Sequence, residues 1–499
     1  MKNGHRVSNY IFIAMLACCM LVSCSKKNAV LPITLPVVVT PPVVMPGAFD
    51  VNSITDTYDA IAPFSFYSKW SNYNVHDPSV LKIGDYYYMY STDVGYGIDV
   101  RAGIQIRKSK DLVEWVFIGW VFNSLPAMGT AFISQAGGKA FNSLWAPYII
   151  KVGNGYRLYY SLSSALSRLS VIGLASAASP EGPWTEEGLA VTSKNDNTVQ
   201  TNAIDPTVVV TPAGEHWLYY GSAYDGIYVL KLDPATGLAA SIGDKGLRVV
   251  QRGSTGNSIN GNLEGAEIIY DTAQSKYYLF MSYDWLQTKY NVRVARSNNP
   301  QGPFYDFNGN DVNIPHDAAP MIVAPYQFIG HSGWQGTAHC GVFKDGAGQY
   351  YIAHQGRPGS STYSMDLHVR KIFWMPNGWP VVSPERYAWE DNSLVAKDSL
   401  SGSWEQIILG YSIVPGYSAE QTSANFQVAS TITIDAGGTI NSNAGNTWVY
   451  TAPWLTINWA TGSVNKLFVQ KGHDWENKKS TIIFTGLNEA GTSMWGKKK

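Results

Sequence analysis

Between residues 70 and 390 the chain repeats one pattern five times: a short strand, a turn carrying Gly or Asp, and a second strand rich in aromatics. The copies read VHDPSVLKIGDYYYMYS, LWAPYIIKVGNGYRLYYS, AIDPTVVVTPAGEHWLYYGS, LEGAEIIYDTAQSKYYLFMS and TAHCGVFKDGAGQYYIAHQ. Tyr87, Tyr159, Tyr219, Tyr278 and Tyr351 mark the second strands, at separations of 72, 60, 59 and 73 residues. Each interval holds about four short strands with their loops. Hairpins repeated at this spacing predict propeller blades, and five copies predict five blades. No long stretch has a helical apolar period, which argues against a fold of alternating strands and helices. The expected class is all-β: a five-bladed β-propeller over residues 55–394, followed by a small C-terminal β-barrel or sandwich over 395–499. In that last part, runs such as STITIDAGGTIN and NTWVYTAPWLTINWA alternate apolar and polar residues around Gly and Asn turns. Its tryptophans are expected to pack in cores rather than to bind polysaccharide.

The start of the chain has a different character. Lys2, His5 and Arg6 precede the apolar run YIFIAMLACCMLV, too short to span a bilayer comfortably. A basic start, an apolar stretch and a small residue before a cut site make an export signal, here residues 1–23. Leu21–Cys24, LVSC, resembles a bacterial lipobox, which implies lipidation of Cys24 as the mature first residue. Several acyl chains anchor stably where one does not. The chain is therefore expected to be an exported lipoprotein of the outer membrane, on its surface or periplasmic face. Cys18 and Cys19 would leave with the signal, so only Cys340 would remain as a thiol and no internal disulfide is expected. Residues 24–54 include AVLPITLPVVVTPPVVMPG, whose prolines favour an extended spacer between anchor and domain.

Lys plus Arg total 36 and Asp plus Glu 37, leaving no electrostatic case for nucleic acid. The 17 Trp and 31 Tyr offer flat apolar faces with polar tips, suited to sugars as well as to strand cores. In a propeller the first strand of each blade lines the central axis. The residues starting those strands are Asp77, Trp145, Asp205, Glu264 and His339. Trp145, Asp205 and Glu264 each lie 14 residues before their marker tyrosine, and this shared phase predicts similar height around one axis. Glu267 is the competitor to Glu264, and the phase favours Glu264. Asp-Pro alone is an ordinary turn signal. Three acids converging on one axis are not, because like charges repel. Pro78 and Pro206 are expected to hold Asp77 and Asp205 in extended backbone.

HDPS, WAP, NAIDP and EGAEI, in this order and spacing, resemble glycoside hydrolase family 43, with the endo-1,5-alpha-L-arabinanases as the nearest type. GIQIRKSKDLVEWVFIG and NVRVARSNNPQGPF add to the likeness, which covers roughly residues 70–390. The resemblance implies inverting hydrolysis of internal alpha-1,5-arabinofuranosidic bonds in arabinan, and a monomer is expected. It assigns Asp77 as general base, Glu264 as general acid and Asp205 as the acid that tunes and orients Glu264. Inversion uses two carboxyl groups about 6.5–9.5 Å apart, with room for a water. It also implies that His339 holds a calcium-like ion at the propeller centre, largely through waters, and that no organic cofactor is needed. TAHCGV departs from the usual Gly-His-Asn-Ser-like run at that point. His331 and His354 are lesser candidates, His354 being expected in the core, and His76 receives no role.

Sugar contacts implied by resemblance are Trp145, Ser164, Asn202, Ala203, Ile204 and Ser222. GSAYDGI departs from the family run at Ala223 and Tyr224, and a Phe-Gly pair is replaced near Ser164. The alternatives are an exo-acting alpha-L-arabinofuranosidase or beta-xylosidase using the same acids, and an inactive glycan-binding lipoprotein. Retaining fructan-processing propellers carry Arg-Asp-Pro where this chain has Ile204-Asp205-Pro206.

Overall fold

The computed structural model describes residues 49–94, 100–196, 200–255, 258–316, 320–410 and 421–499. The proposed signal, Cys24 and most of the Pro/Val-rich segment lie outside these residues. Four antiparallel, four-stranded sheets follow one another along the chain. The first comprises Ser79–Ile83, Tyr86–Ser91, Gln105–Ser109 and Val116–Trp120. The second comprises Trp145–Val152, Gly155–Ser163, Ser170–Ala177 and Thr185–Ser193. Thr207–Val210, His216–Tyr220, Ile227–Leu232 and Leu247–Val250 form the third. Leu263–Asp271, Lys276–Tyr283, Asn291–Ser297 and Met321–Val323 form the fourth.

The fifth repeat differs. Gly341–Lys344, Tyr350–Pro358, Asp366–Trp374 and Pro380–Val382 pair in the same up-and-down order, but inside a seven-stranded sheet. Trp334–Gln335, Tyr326–Gln327 and Gln427–Val428 extend that sheet. Gln427–Val428 arrives from the far end of the chain and pairs parallel to Tyr326–Gln327, covering backbone that would otherwise be an open edge.

The first strands of the five meanders contact one another in a closed cycle. Apolar clusters fill the gaps around it. Tyr90 and Ile106 meet Leu158 and Tyr160; Leu174 meets Leu218; Val229 meets Ile268. Phe280 meets Ile352, and Met89 with Val80 meets Phe343 and Ala353, returning to the start. This is a β-propeller. Strands covered on both faces read as continuous apolar runs rather than alternating ones, which explains the solid aromatic stretches. The tyrosines are staples as well as core. The Tyr90 hydroxyl donates to Pro180 O at 2.5 Å, Tyr159 to Gly237 O at 2.8 Å and Tyr278 to Gly378 O at 2.5 Å, each reaching the next sheet. Tyr219 does the same to Pro300 O. Buried phenols need such acceptors.

The one α-helix among the described residues, Ala127–Gln135, packs on the second sheet. Gly129 lets it approach: a Cβ there would lie 3.1 Å from Val171. The Glu186 carboxylate accepts the Met128 and Gly129 N–H groups at the helix start, where backbone donors are otherwise unpaired.

The C-terminal part is a closed barrel rather than a sandwich. Its eight strands run from Gly402–Leu409 through Ser493–Lys498, and the first pairs with the last. Val395, Leu400, Trp404, Leu455, Leu467 and Phe484 fill its interior. Ile407, Leu409, Leu487 and Trp495 face outward into the cluster holding Tyr326 and Met321, so the barrel is docked on the propeller. Trp404, Trp448 and Trp495 are buried, as expected of packing residues. At the seam, buried Lys497 Nζ contacts Glu385 at 2.9 Å, Asp474 at 2.8 Å and Glu476 at 2.5 Å. Residues 49–54, the end of the predicted spacer, are docked too. Lys478 Nζ donates to Asn52 O at 2.7 Å, and the Phe49 ring meets Trp389 edge-on.

Candidate active site

Strand register relates the five first strands residue by residue. Ser79, Tyr148, Thr207, Glu267 and Gly341 each face the equivalent residue of the second strand. Two residues earlier stand Asp77, Ala146, Asp205, Gly265 and His339, and all five have positive φ: 51°, 37°, 59°, 57° and 50°. The predicted shared phase is thus corrected. Trp145 and Glu264 sit one residue before the turn position, because bulges follow each of them. The expected extended backbone at Asp77 and Asp205 is also overturned. Both adopt the left-handed conformation that Asp, His and Gly tolerate better than other residues, and this outweighs the steric preference imposed by the following proline.

The N–H groups of these five residues form a ring of bonds between neighbouring sheets. Asp77 donates to Gln355 Oε1 at 3.1 Å, Ala146 to Thr92 Oγ1 at 2.7 Å, Asp205 to Ser161 Oγ at 3.0 Å and His339 to Ser282 Oγ at 2.9 Å. At the equivalent place in the third sheet stands Gly221, which offers no side chain. The Gly265 N–H turns to Asp205 Oδ2 instead, at 3.1 Å. The backbone beside Glu264 is thereby tied to Asp205.

Asp77 is buried. Thr92 Oγ1 donates to its Oδ2 at 2.6 Å, His76 Nδ1 lies 2.7 Å from Oδ2, and His339 Nδ1 lies 2.8 Å from Oδ1. The two histidine contacts are close in charge but poorly aligned as hydrogen bonds. Burial opposes ionisation of Asp77, but His339 and His76 together outweigh it and hold the carboxyl well below the usual range. His339 is pushed up to about 9: burial works against the charge, and Asp77, Asp205 and Glu264 overcome it. Burial lowers His76 despite Asp77, so His76 is the neutral partner. Asp205 behaves oppositely to Asp77. Burial raises its carboxyl to about 8, with His339 opposing and Glu264 and Asp77 reinforcing.

Glu264 is only partly buried. Its Oε2 accepts from Ser222 Oγ at 2.6 Å and its Oε1 from the Tyr290 hydroxyl at 2.9 Å. Glu267 is fully buried with its oxygens on Thr207 Oγ1 and Val342 N–H, both at 3.0 Å, so it ties three sheets together.

The other sequence candidates divide. Trp145 is half-buried, its ring stacked on Phe141 at 5.4 Å and its Nε1 bonded to Ser143. Asn202 is buried, and its Oδ1 has no partner among the described residues. Ala203 and Ile204 are buried wall, and the Ala203 N–H is taken by Ser193 Oγ. The Ser164 hydroxyl is occupied within its own loop, donating to Leu169 O and accepting from Leu166 N–H. His331 lies away from the acids, paired with Asp56. His354 is core, lowered to about 3 by burial and Arg370. Sequence reasoning missed Tyr290 and the ring acceptors Thr92, Ser161, Ser282 and Gln355. A hydroxyl or amide residue recurring near the end of four of the five second strands, with Gly221 at that place in the other, was the available signal.

For a cation, two imidazoles stand at the centre against Asp77, His339 and His76, and His339 is the one named from the sequence. The cluster of three carboxylates at ligand spacing among the described residues, Glu385 with Asp474 and Glu476, lies at the domain seam around Lys497 instead. An ion at His339 therefore fits only as a largely water-held one.

Residues 71–380 match the family model for glycosyl hydrolases family 43. The chain belongs to this family. Residues 384–496 match the C-terminal lipocalin-like domain found with it. An extracellular endo-alpha-(1->5)-L-arabinanase of Thermotoga petrophila is 28% identical over 465 residues, covering 85% of this chain and 93% of the relative. The crystal structure of an endo-1,5-alpha-L-arabinanase from that organism superposes with a TM-score of 0.73 at 27% identity, over 86% of this chain and 99% of its own. An extracellular exo-alpha-(1->5)-L-arabinofuranosidase of Cellvibrio japonicus is 27% identical, over 62% of this chain and 86% of its own. Asp77, Asp205 and Glu264 thus stand on a propeller whose axial turns are locked to one another.

Proposed function

We propose that the protein is an arabinanase that hydrolyses internal alpha-1,5-linked arabinofuranosidic bonds with inversion, on a propeller counted as five blades. The observation that carries the mechanism is the unequal treatment of carboxyl groups around one cation. Asp77 is held ionised by His339, as a base for the attacking water must be. Burial, reinforced by Glu264 and Asp77, raises Asp205 to about 8, so it keeps its proton beside Glu264 near neutral pH. Asp205 also orients Glu264 through the Gly265 N–H. Similarity to named arabinanases along both domains supports the substrate class.

Trp145 offers an aromatic face to a sugar, and the unpartnered Asn202 Oδ1 is an acceptor for a sugar hydroxyl. The hydroxyl of Ser222 serves Glu264, and Ser164 contributes loop shape rather than its hydroxyl. A calcium-like ion held by His339 and water would supply the same positive charge that the imidazolium supplies; calcium titration after chelation tests for it. Lipid anchoring through Cys24 belongs to the same proposal, and Cys24→Ser is expected to release the protein from membranes.

Asp77→Asn is expected to lower kcat on linear arabinan by about 10³-fold; wild-type turnover in that variant refutes the mechanism. Early products of mixed oligosaccharide size establish internal cleavage. Monosaccharide alone establishes the exo reading, which the Cellvibrio relative favours.

A further inference from the structure

Tyr290 immediately precedes the strand Asn291–Ser297, and its ring packs in the apolar cluster between the fourth and fifth sheets. Its hydroxyl donates to Glu264 Oε1 at 2.9 Å while Ser222 holds Oε2 at 2.6 Å, so each oxygen of one carboxyl has its own donor. Its carbonyl accepts the Thr337 N–H at 3.2 Å and the Thr337 hydroxyl at 3.3 Å, two residues before His339. One residue therefore touches Glu264 with its side chain and the approach to His339 with its backbone. Burial, and then Glu264, Asp77 and Asp205, push the phenol well above its ordinary range, so it stays protonated and remains a donor.

We propose that Tyr290 is a positioning residue: it fixes the direction of the Glu264 carboxyl and sets how readily that group gives up a proton. The proposal rests on the reading of Glu264 as general acid. A neutral donor bonded to a carboxylate favours the ionised form. Without the phenol, the Glu264 carboxyl loses its donor on Oε1 and is held by Ser222 on Oε2 only. The charged groups around it, Asp205, His339 and Asp77, remain in place.

The test compares the full-length protein with Tyr290→Phe, Ser222→Ala and Glu264→Ala. Substrates are a linear arabinan oligosaccharide and the dinitrophenyl glycoside of arabinobiose, whose leaving group needs no proton. Tyr290→Phe is expected to lower kcat on the oligosaccharide about 10-fold with KM within about twofold. The alkaline limb of its pH profile should move up by about one unit, and the dinitrophenyl rate should change little. Ser222→Ala, which empties the other half of the grip, should move the limb the same way. Equal loss on both substrates, or an unmoved limb in both variants, overturns the proposal. Full oligosaccharide activity in Glu264→Ala overturns the general-acid reading instead, whatever Tyr290→Phe does.

Discussion

Replacing Gly265 by alanine tests whether close packing around His339 sets the geometry of the acids. Gly265 has φ 57°, and a Cβ there would lie 2.9 Å from His339 Cγ and 2.9 Å from Ser282 Oγ. Two costs add. Alanine in the left-handed region costs about 1 kcal/mol. Forcing a methyl into a filled space costs about 1–3 kcal/mol more. The expected loss is ~2–4 kcal/mol, read from urea unfolding. The strain falls on functional contacts, because Ser282 Oγ accepts the His339 N–H and the His339 ring faces Asp77. A shift of a few tenths of an ångström there is expected to lower kcat about 10-fold or more, since about 1 Å of misplacement costs about 10²-fold. Gly84→Ala is the comparator: its φ is 58°, and nothing lies within 4 Å of the added carbon. It should lose only about 1 kcal/mol and keep its kcat. If the two variants match in both measurements, the packing argument is wrong.

In chelator, the His339 imidazolium should make the protein pH-sensitive. Its proton affinity rises from 6.5 in the unfolded chain to about 9 in the folded one, a gap worth ~3 kcal/mol that is fully present below pH 6.5 and lost as pH rises through 9. Asp205, raised to about 8, adds loss in the same direction from about pH 4 upward. His339→Gln should flatten the decline between pH 6.5 and 9 in urea titrations, and an unchanged slope counts against the ion-pair description. Lys497→Met leaves Glu385, Asp474 and Glu476 buried together and should destabilise by about 3–5 kcal/mol; a change below 1 kcal/mol shows that these groups discharge themselves. Thr92→Val removes the 2.6 Å bond to Asp77 Oδ2 and should lower kcat about 10-fold without altering product sizes.

The repeat was legible because strand pairs leave a periodic imprint, and its turns position the acids. The conformation of Asp77 and Asp205 was not. Local sterics before proline argue for extended backbone, and only the inter-sheet N–H bonds show why the left-handed form prevails. The bulges after Trp145 and Glu264 were hidden for the same reason: counting along the chain cannot see an extra residue in one strand. The reach of Tyr290 to Glu264 joins a different strand to the acid, so no spacing within one repeat reveals it. The barrel's closure depends on pairing its first and last strands, which alternation alone leaves undecided.

The bond from the Asp77 N–H to Gln355 joins residues 278 positions apart. During synthesis Asp77 is made early and its backbone anchor late. A chain stopped before the fifth repeat contains all three acids, yet lacks both His339 and the contact that aims Asp77. On the proposed roles, hydrolytic competence comes late in assembly, once the circle of sheets has closed. A partly made or partly secreted molecule would carry its chemical groups unarmed.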